Sequence, residues 1–337
     1  MWILVPAFSL AIVHIAGDNL AVVPDAAVMI GPDIYLTIFL AYMVFGTVIV
    51  ALSAWIGVVS GRELTVVMNK LFGCDGKKLL AVAILLVCLP ASCLTGGYFS
   101  GWVLHAITGW PHPVSVLVCL TTFAFLAVDH GEAVRKIFNY FTLLLIPMVL
   151  IMAVISQFKV GWNGIQLGTV NWPLTIALVG YSAGGMRLPL VVEATAHLSR
   201  KGYKAICLAI IAKFVEGLIT LLLAHVVLVN NVQGPMALTG ASFKLFNQAW
   251  ANLFNIVVLC TFASTMAPAM MVNARQISVL THCSFSEALV AAVILVLALN
   301  FLEVSVLLRL LSITGAFMVV FISSVAYMLH RNRKKLS

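Results

Sequence analysis

Apolar residues run along this chain in ten long stretches, near positions 2–24, 34–59, 79–107, 113–128, 138–157, 172–197, 204–229, 252–274, 286–302 and 305–329. A helix that crosses a bilayer needs about 20 mostly apolar residues, so the pattern predicts ten spanning helices that use nearly the whole chain. Two of the stretches are broken at mid-length by small and polar residues. Ala16-Gly17-Asp18-Asn19 interrupts the first, and Ser182-Ala183-Gly184-Gly185-Met186-Arg187-Leu188-Pro189 interrupts the sixth. At about 1.5 Å of rise per residue, Asp18 lies on the order of 25 Å, and Gly185 about 20 Å, from the start of its own stretch, so both breaks fall inside the bilayer. Unwound backbone at that depth must be satisfied by protein or by water in a cavity. Corresponding breaks of this kind point to the binding site of a transporter built from two repeats.

Five stretches occupy residues 1–157 and five occupy 158–337, the second half ending in a short basic tail. An odd number of crossings per half inverts the second half against the first. The expected architecture is an all-α polytopic membrane protein of ten transmembrane helices, a LeuT-like five-plus-five inverted repeat with helices 1 and 6 broken.

Composition changes this picture only by making the membrane setting unavoidable. Of 337 residues, 63% are hydrophobic and 9% charged, against about 25% charged in a typical soluble domain. The first stretch carries Pro6, His14 and Asp18 with no basic region before it, unlike a cleaved signal segment, and is expected to stay. Loop charge then sets orientation. Of 19 Lys and Arg, 14 fall in alternate loops or the tail, from Arg62, Lys70, Lys77 and Lys78 onward, against Lys159 and Lys244 on the other side. Both termini are expected in the cytoplasm, and the expected location is a bacterial inner membrane. The net charge of +8 follows from this asymmetry and implies no nucleic-acid partner. The expected partners are the lipid bilayer and a small transported solute or metal ion. The seven cysteines include no Cys-x-x-Cys pair and read as small buried hydrophobes. No cofactor is implied beyond a transported or coupling ion, which could be a divalent metal, a proton or sodium. Nothing in the pattern sets an oligomeric state.

Within this frame the candidate substrate site is Ala16, Gly17, Asp18, Asn19, Gly184, Gly185, Met186 and Arg187. Asp18 is either a cation ligand or proton acceptor at membrane depth, or a cap on the second half of a broken helix. Asn19 adds a carbonyl acceptor of the sort hard cations accept, and a thioether at Met186 suits softer metals. Asp18, Asn19 and Met186 are therefore the candidate metal ligands. Arg187 needs a partner at this depth, which could be Asp18, a substrate carboxylate or a gate contact. Its charge opposes a bare divalent metal site.

Glu193, Lys213 and Glu216 form a second polar group, expected as a gate or proton relay or as a structural ion pair between the sixth and seventh helices. Glu193 and Lys213 lie at similar depth from the loop at 199–203, and Lys213 and Glu216 are one turn apart. Ser264-Thr265 lies mid-way along the eighth helix, either bonded back to its own helix or, as in the LeuT fold, holding a coupling sodium ion. The loop at 230–251 reads as a Gly234-Pro235 turn leading into a helix, for packing on headgroups or as a lid. No zinc-protease His-Glu-x-x-His, nucleophile elbow or phosphate loop occurs, so an enzyme is not expected. A non-transporting sensor or scaffold of the same fold is the rival from another class.

Ala54-Trp55-Ile56-Gly57-Val58-Val59-Ser60-Gly61-Arg62-Glu63-Leu64 and Leu104-His105-Ala106-Ile107-Thr108-Gly109-Trp110-Pro111 resemble the corresponding stretches of the Nramp family of proton-coupled divalent-metal transporters. The likeness covers roughly residues 2–130. It implies alternating-access transport of a divalent metal. The family's first-helix Asp-Pro-Gly-Asn motif reads Ala16-Gly17-Asp18-Asn19 here, and its Met-Pro-His motif has no clear counterpart, Met186 fitting only after a shift. Cys93 and Gly96 stand where the family carries acids in its third helix. The resemblance favours a metal, whereas Asp18 with Arg187 favours an amino acid or other small zwitterion.

Overall fold

A computed structural model of the chain describes residues 18–128, 132–160, 167–183, 187–198, 200, 202–232 and 236–331. Among these every regular element is helical. In chain order they are α1 (Asn19–Ile30), α2 (Asp33–Ser60), α3 (Leu64–Phe72), α4 (Asp75–Thr108), α5 (His112–Leu126), α6 (Glu132–Val160) and α7 (Trp172–Ala183). There follow α8 (Arg187–His197), α9 (Tyr203–Val229), α10 (Ala237–Leu245), α11 (Gln248–Thr281), α12 (Phe285–Leu299) and α13 (Val304–Arg331). Five of them, α2, α4, α9, α11 and α13, are each long and apolar enough to cross a membrane. The chain is an integral membrane protein.

The helices pack around two sets of close contacts, joined where α9 meets α6 and α13 meets α4. α2 lies against α8 and α9, and α7 lies against α13. The long α11 is the axis of the other set, packed on α4, α6 and α12. Small residues let these backbones meet. A Cβ on Gly57 of α2 would run into Thr195 Oγ1 and the Val192 carbonyl of α8, and one on Gly315 of α13 into the Gly180 carbonyl of α7. Without a hydrophobic drive between helices in lipid, such close backbone approach is a main source of association.

Three stretches widen from α- to π-helix: Asp18–Val22 leading into α1, Phe39–Gly46 in α2 and Cys93–Phe99 in α4. Such turns gather at functional sites. Those of α1 and α4 touch one another, and that of α2 packs against α9 and α7. Pro90 lies just before the α4 stretch and withholds one N–H from the helical ladder, which loosens it there.

Two expectations change. The first apolar stretch ends at residue 24, but its helix continues to Ile30 and takes in a second acid, Asp25. Second, α10, in the 230–251 loop, is packed on protein along one face. Ala237, Leu238, Ala241 and Ser242 are buried against protein, and the Asp25 carboxylate accepts the backbone N–H of Ala237 at 2.8 Å and of Met236 at 3.3 Å. An anion at a helix N-terminus satisfies donors that the helix cannot satisfy itself.

Candidate functional site

The first residues of α1 enter the bundle beside the middle of α9. Asn19 is fully buried, and its Nδ2 donates to Glu216 Oε1 at 3.1 Å. The other carboxylate oxygen of Glu216 accepts from Lys213 Nζ, also at 3.1 Å. Spacing of three along α9 puts lysine and glutamate on one face. Both are almost wholly removed from solvent, Lys213 being 3% and Glu216 1% exposed. Charges at such depth persist only with close partners.

α2 supplies the rest of the enclosure. The Lys213 ammonium lies 4.5 Å from the centre of the fully buried Tyr42 ring, within range of a cation–π attraction. Below it, a Cβ on Gly46 would approach Lys213 Cε to 2.7 Å, so the missing side chain at 46 is the slot through which the lysine stem passes. Tyr42 and Gly46 both belong to the π-helical stretch of α2. Among the described residues the ammonium thus meets the Glu216 carboxylate and the Tyr42 ring, and Glu216 in turn is tied to the start of α1 by Asn19.

Of the residues expected at the substrate site, Asn19 alone has a described side chain. Ala16, Gly17, Gly184, Gly185 and Met186 lie outside the described residues, as do the side chains of Asp18 and Arg187. The structure thus joins Asn19 of the first group to Lys213 and Glu216 of the second. Glu193 does not join them. It is half-buried on α8, under the electrostatic influence of Glu63, Arg275 and His197, and the expected Glu193 to Lys213 pair between helices gives way to a pair within α9. Equal depth fixed their height but not the direction each faces: Lys213 is turned toward α2.

Ser264 and Thr265 each donate to the Thr261 carbonyl of their own helix, at 2.8 and 3.2 Å. Pro268 follows one turn later within α11. Among the described residues no three His, Cys, Asp or Glu side chains converge as a metal site would require.

Three polar ties that sequence reading missed lie toward the other ends of the helices. Asp25 anchors α10. Asp33 accepts from Thr169 N at 2.6 Å, holding the approach to α7. His225 of α9 bonds through Nδ1 to Tyr35 at 2.9 Å and through Nε2 to Gln157 at 2.8 Å, linking α2, α9 and α6. A groove of about 1040 Å³ opens beside this last tie, but its other walls are apolar side chains such as Phe39, Leu150 and Leu218, and it shares no residue with the ammonium enclosure.

Solved transporters share this arrangement of helices. A closed, bromovinylhydantoin-bound structure of Mhp1, a nucleobase-cation-symport-1 family transporter, matches 98% of this chain and 76% of its own, with TM-score 0.64 and 16% identity. An inward-facing Mhp1 structure matches 96% of this chain and 75% of its own, with TM-score 0.68 and 14% identity. The fold is the LeuT type. No family model and no curated protein matches the chain. The Nramp family is accordingly not supported, and identities this low speak to the fold alone.

Proposed function

We propose that this protein is a secondary transporter that carries a small organic solute across the membrane by alternating access, with its site at the broken start of α1. The observation that carries the reading is the bond from Asn19 to Glu216, which ties the start of α1, where the sequence pattern places the break, to a buried charge pair on α9. In a repeat-built carrier the broken helices and the elements around them form the site that alternates in access. Similarity to a solute symporter over nearly the whole chain supports the same reading.

A small zwitterion, such as an amino acid, fits this site better than a divalent metal. The resident ammonium of Lys213 repels a divalent cation in a low-dielectric interior, and the acids beside it and further along α1, Glu216 and Asp25, already accept from lysine, amide or backbone donors. Asp18 and Arg187, from the two breaks, are proposed to face the ammonium and the carboxylate of the solute. Ser264 and Thr265 are proposed to line the same cavity, and Glu193 to act with Arg275 at an inner gate. The ten-span arrangement is retained in this proposal, with α7 and α8 as halves of one broken span, and with both termini cytoplasmic.

The test is a thermal-shift screen of the purified full-length protein against amino acids, nucleobases, hydantoins and manganese, followed by uptake of the best solute into proteoliposomes. A native-state ligand raises the unfolding midpoint by mass action. Stabilisation by an organic solute together with its uptake is the expected result. Stabilisation by manganese alone, or a bound solute that is never transported, would reverse the choice in favour of a metal carrier or a sensor respectively.

A further inference from the structure

A buried lysine is an expensive way to fill space, and the enclosure around Lys213 is shaped for its head and its stem separately. The head meets Glu216 at 3.1 Å and the Tyr42 ring at 4.5 Å. The stem runs past Gly46, where any side chain would collide with Cε. A charged group with three donors, an anion opposite and an aromatic face beside it is the chemistry by which proteins hold free ammonium ligands as well. Glu216, whose second oxygen is bonded to Asn19, links this cation directly to the start of α1.

We infer that the Lys213 ammonium is a built-in cation for the site, doing for Glu216 and the start of α1 what a bound alkali ion would otherwise do, so that solute binding needs no free sodium or potassium. The inference rests on the proposed site at the α1 break. It has two consequences. A second monovalent cation brought to Glu216 meets a like charge already there, so alkali ions gain no saturable foothold. Removing the lysine leaves a cage of matching chemistry, with a carboxylate and an aromatic face, that takes a small primary alkylammonium.

The experiment measures the unfolding midpoint of the full-length protein in sodium, potassium and choline chloride at matched ionic strength. Wild type is expected to give the same midpoint in all three. Lys213→Ala is expected to lower the midpoint and to regain most of the loss in ethylammonium chloride, saturably, but not in tetramethylammonium chloride, which has no N–H to donate. Lys213→Ala/Glu216→Gln is expected to lose that recovery. A saturable sodium- or potassium-specific rise in wild type overturns the inference, and this arm stands even if Lys213→Ala fails to fold. Failure of ethylammonium to restore a folded Lys213→Ala overturns it equally. None of these readouts uses transport, so an inactive proteoliposome preparation would count against the proposed function and leave the cation series standing.

Discussion

Replacing Glu216 by Gln removes one charge from a pair whose members are both nearly inaccessible to solvent. The amide keeps the size of the side chain and still accepts from Asn19, so the change isolates the charge. At an effective dielectric of about 20, two unit charges about 4 Å apart attract by roughly 4 kcal/mol, and breaking one partner of a buried pair commonly destabilises by about 3–5 kcal/mol. Lys213→Met should incur a loss of the same order, because it strands the carboxylate. The double variant Lys213→Met/Glu216→Gln leaves neither member of the pair without the other and should lose clearly less than the sum of the two single variants, as replacement of whole buried pairs often does. Equilibrium unfolding of the four proteins in one detergent closes the cycle. If the two single losses simply add, within the roughly 0.5 kcal/mol expected of independent sites, the pair is not coupled and the enclosure described here is wrong.

Two further outcomes are expected. Asp25→Ala should lower stability by about 0.5–2 kcal/mol, the usual range for losing a helix cap, and raise the cleavage of the α10 region by added protease; unchanged cleavage would show that α10 is held by packing alone. Single cysteines at the exposed positions Lys78 and Lys244 should label from opposite sides of the membrane, and labelling from one side would remove the proposed topology.

The helices were legible because apolar stretches of spanning length have few alternatives in lipid. α4 and α9 lie within a few residues of their expected ends. The Lys213 and Glu216 pair was also legible, since a spacing of three on a helix is a local fact. What escaped was everything that depends on azimuth or on distant contact. Tyr42 looked like one more aromatic in an apolar stretch, and Asn19 meets Glu216 across 197 positions of sequence. Asp25 was overlooked because hydropathy ended the first helix too early, and its partners lie 211 and 212 residues away. The short α3 carried a signal that went unread: Leu64, Val67, Met68 and Leu71 make one apolar face at helical spacing.

The Nramp-like stretches have a physical explanation in the structure. Ala54 and Gly57 are where α8 packs on α2, with Ala54 fully buried. Gly109 closes α4 in a left-handed conformation, φ 73°, and His105 Nδ1 bonds the Trp110 carbonyl at 2.5 Å across that turn. Both stretches serve packing and chain reversal. Their contacts belong to the architecture, which is why a likeness there extended to the fold.

The π-helical stretches bear on how this chain can be read against others. A π turn holds one more residue than the α turn it replaces while the helix on either side keeps its facing. A relative that lacks the extra residue in Phe39–Gly46 or Cys93–Phe99 therefore presents the same side chains to the same neighbours with every later position shifted by one. Matched number for number, the two chains would differ by about 100° around each helix axis below the bulge, and equivalent residues would look unrelated. Motifs beyond α2 and α4 must be paired by the direction they face, because counting along the chain loses its meaning at each widened turn.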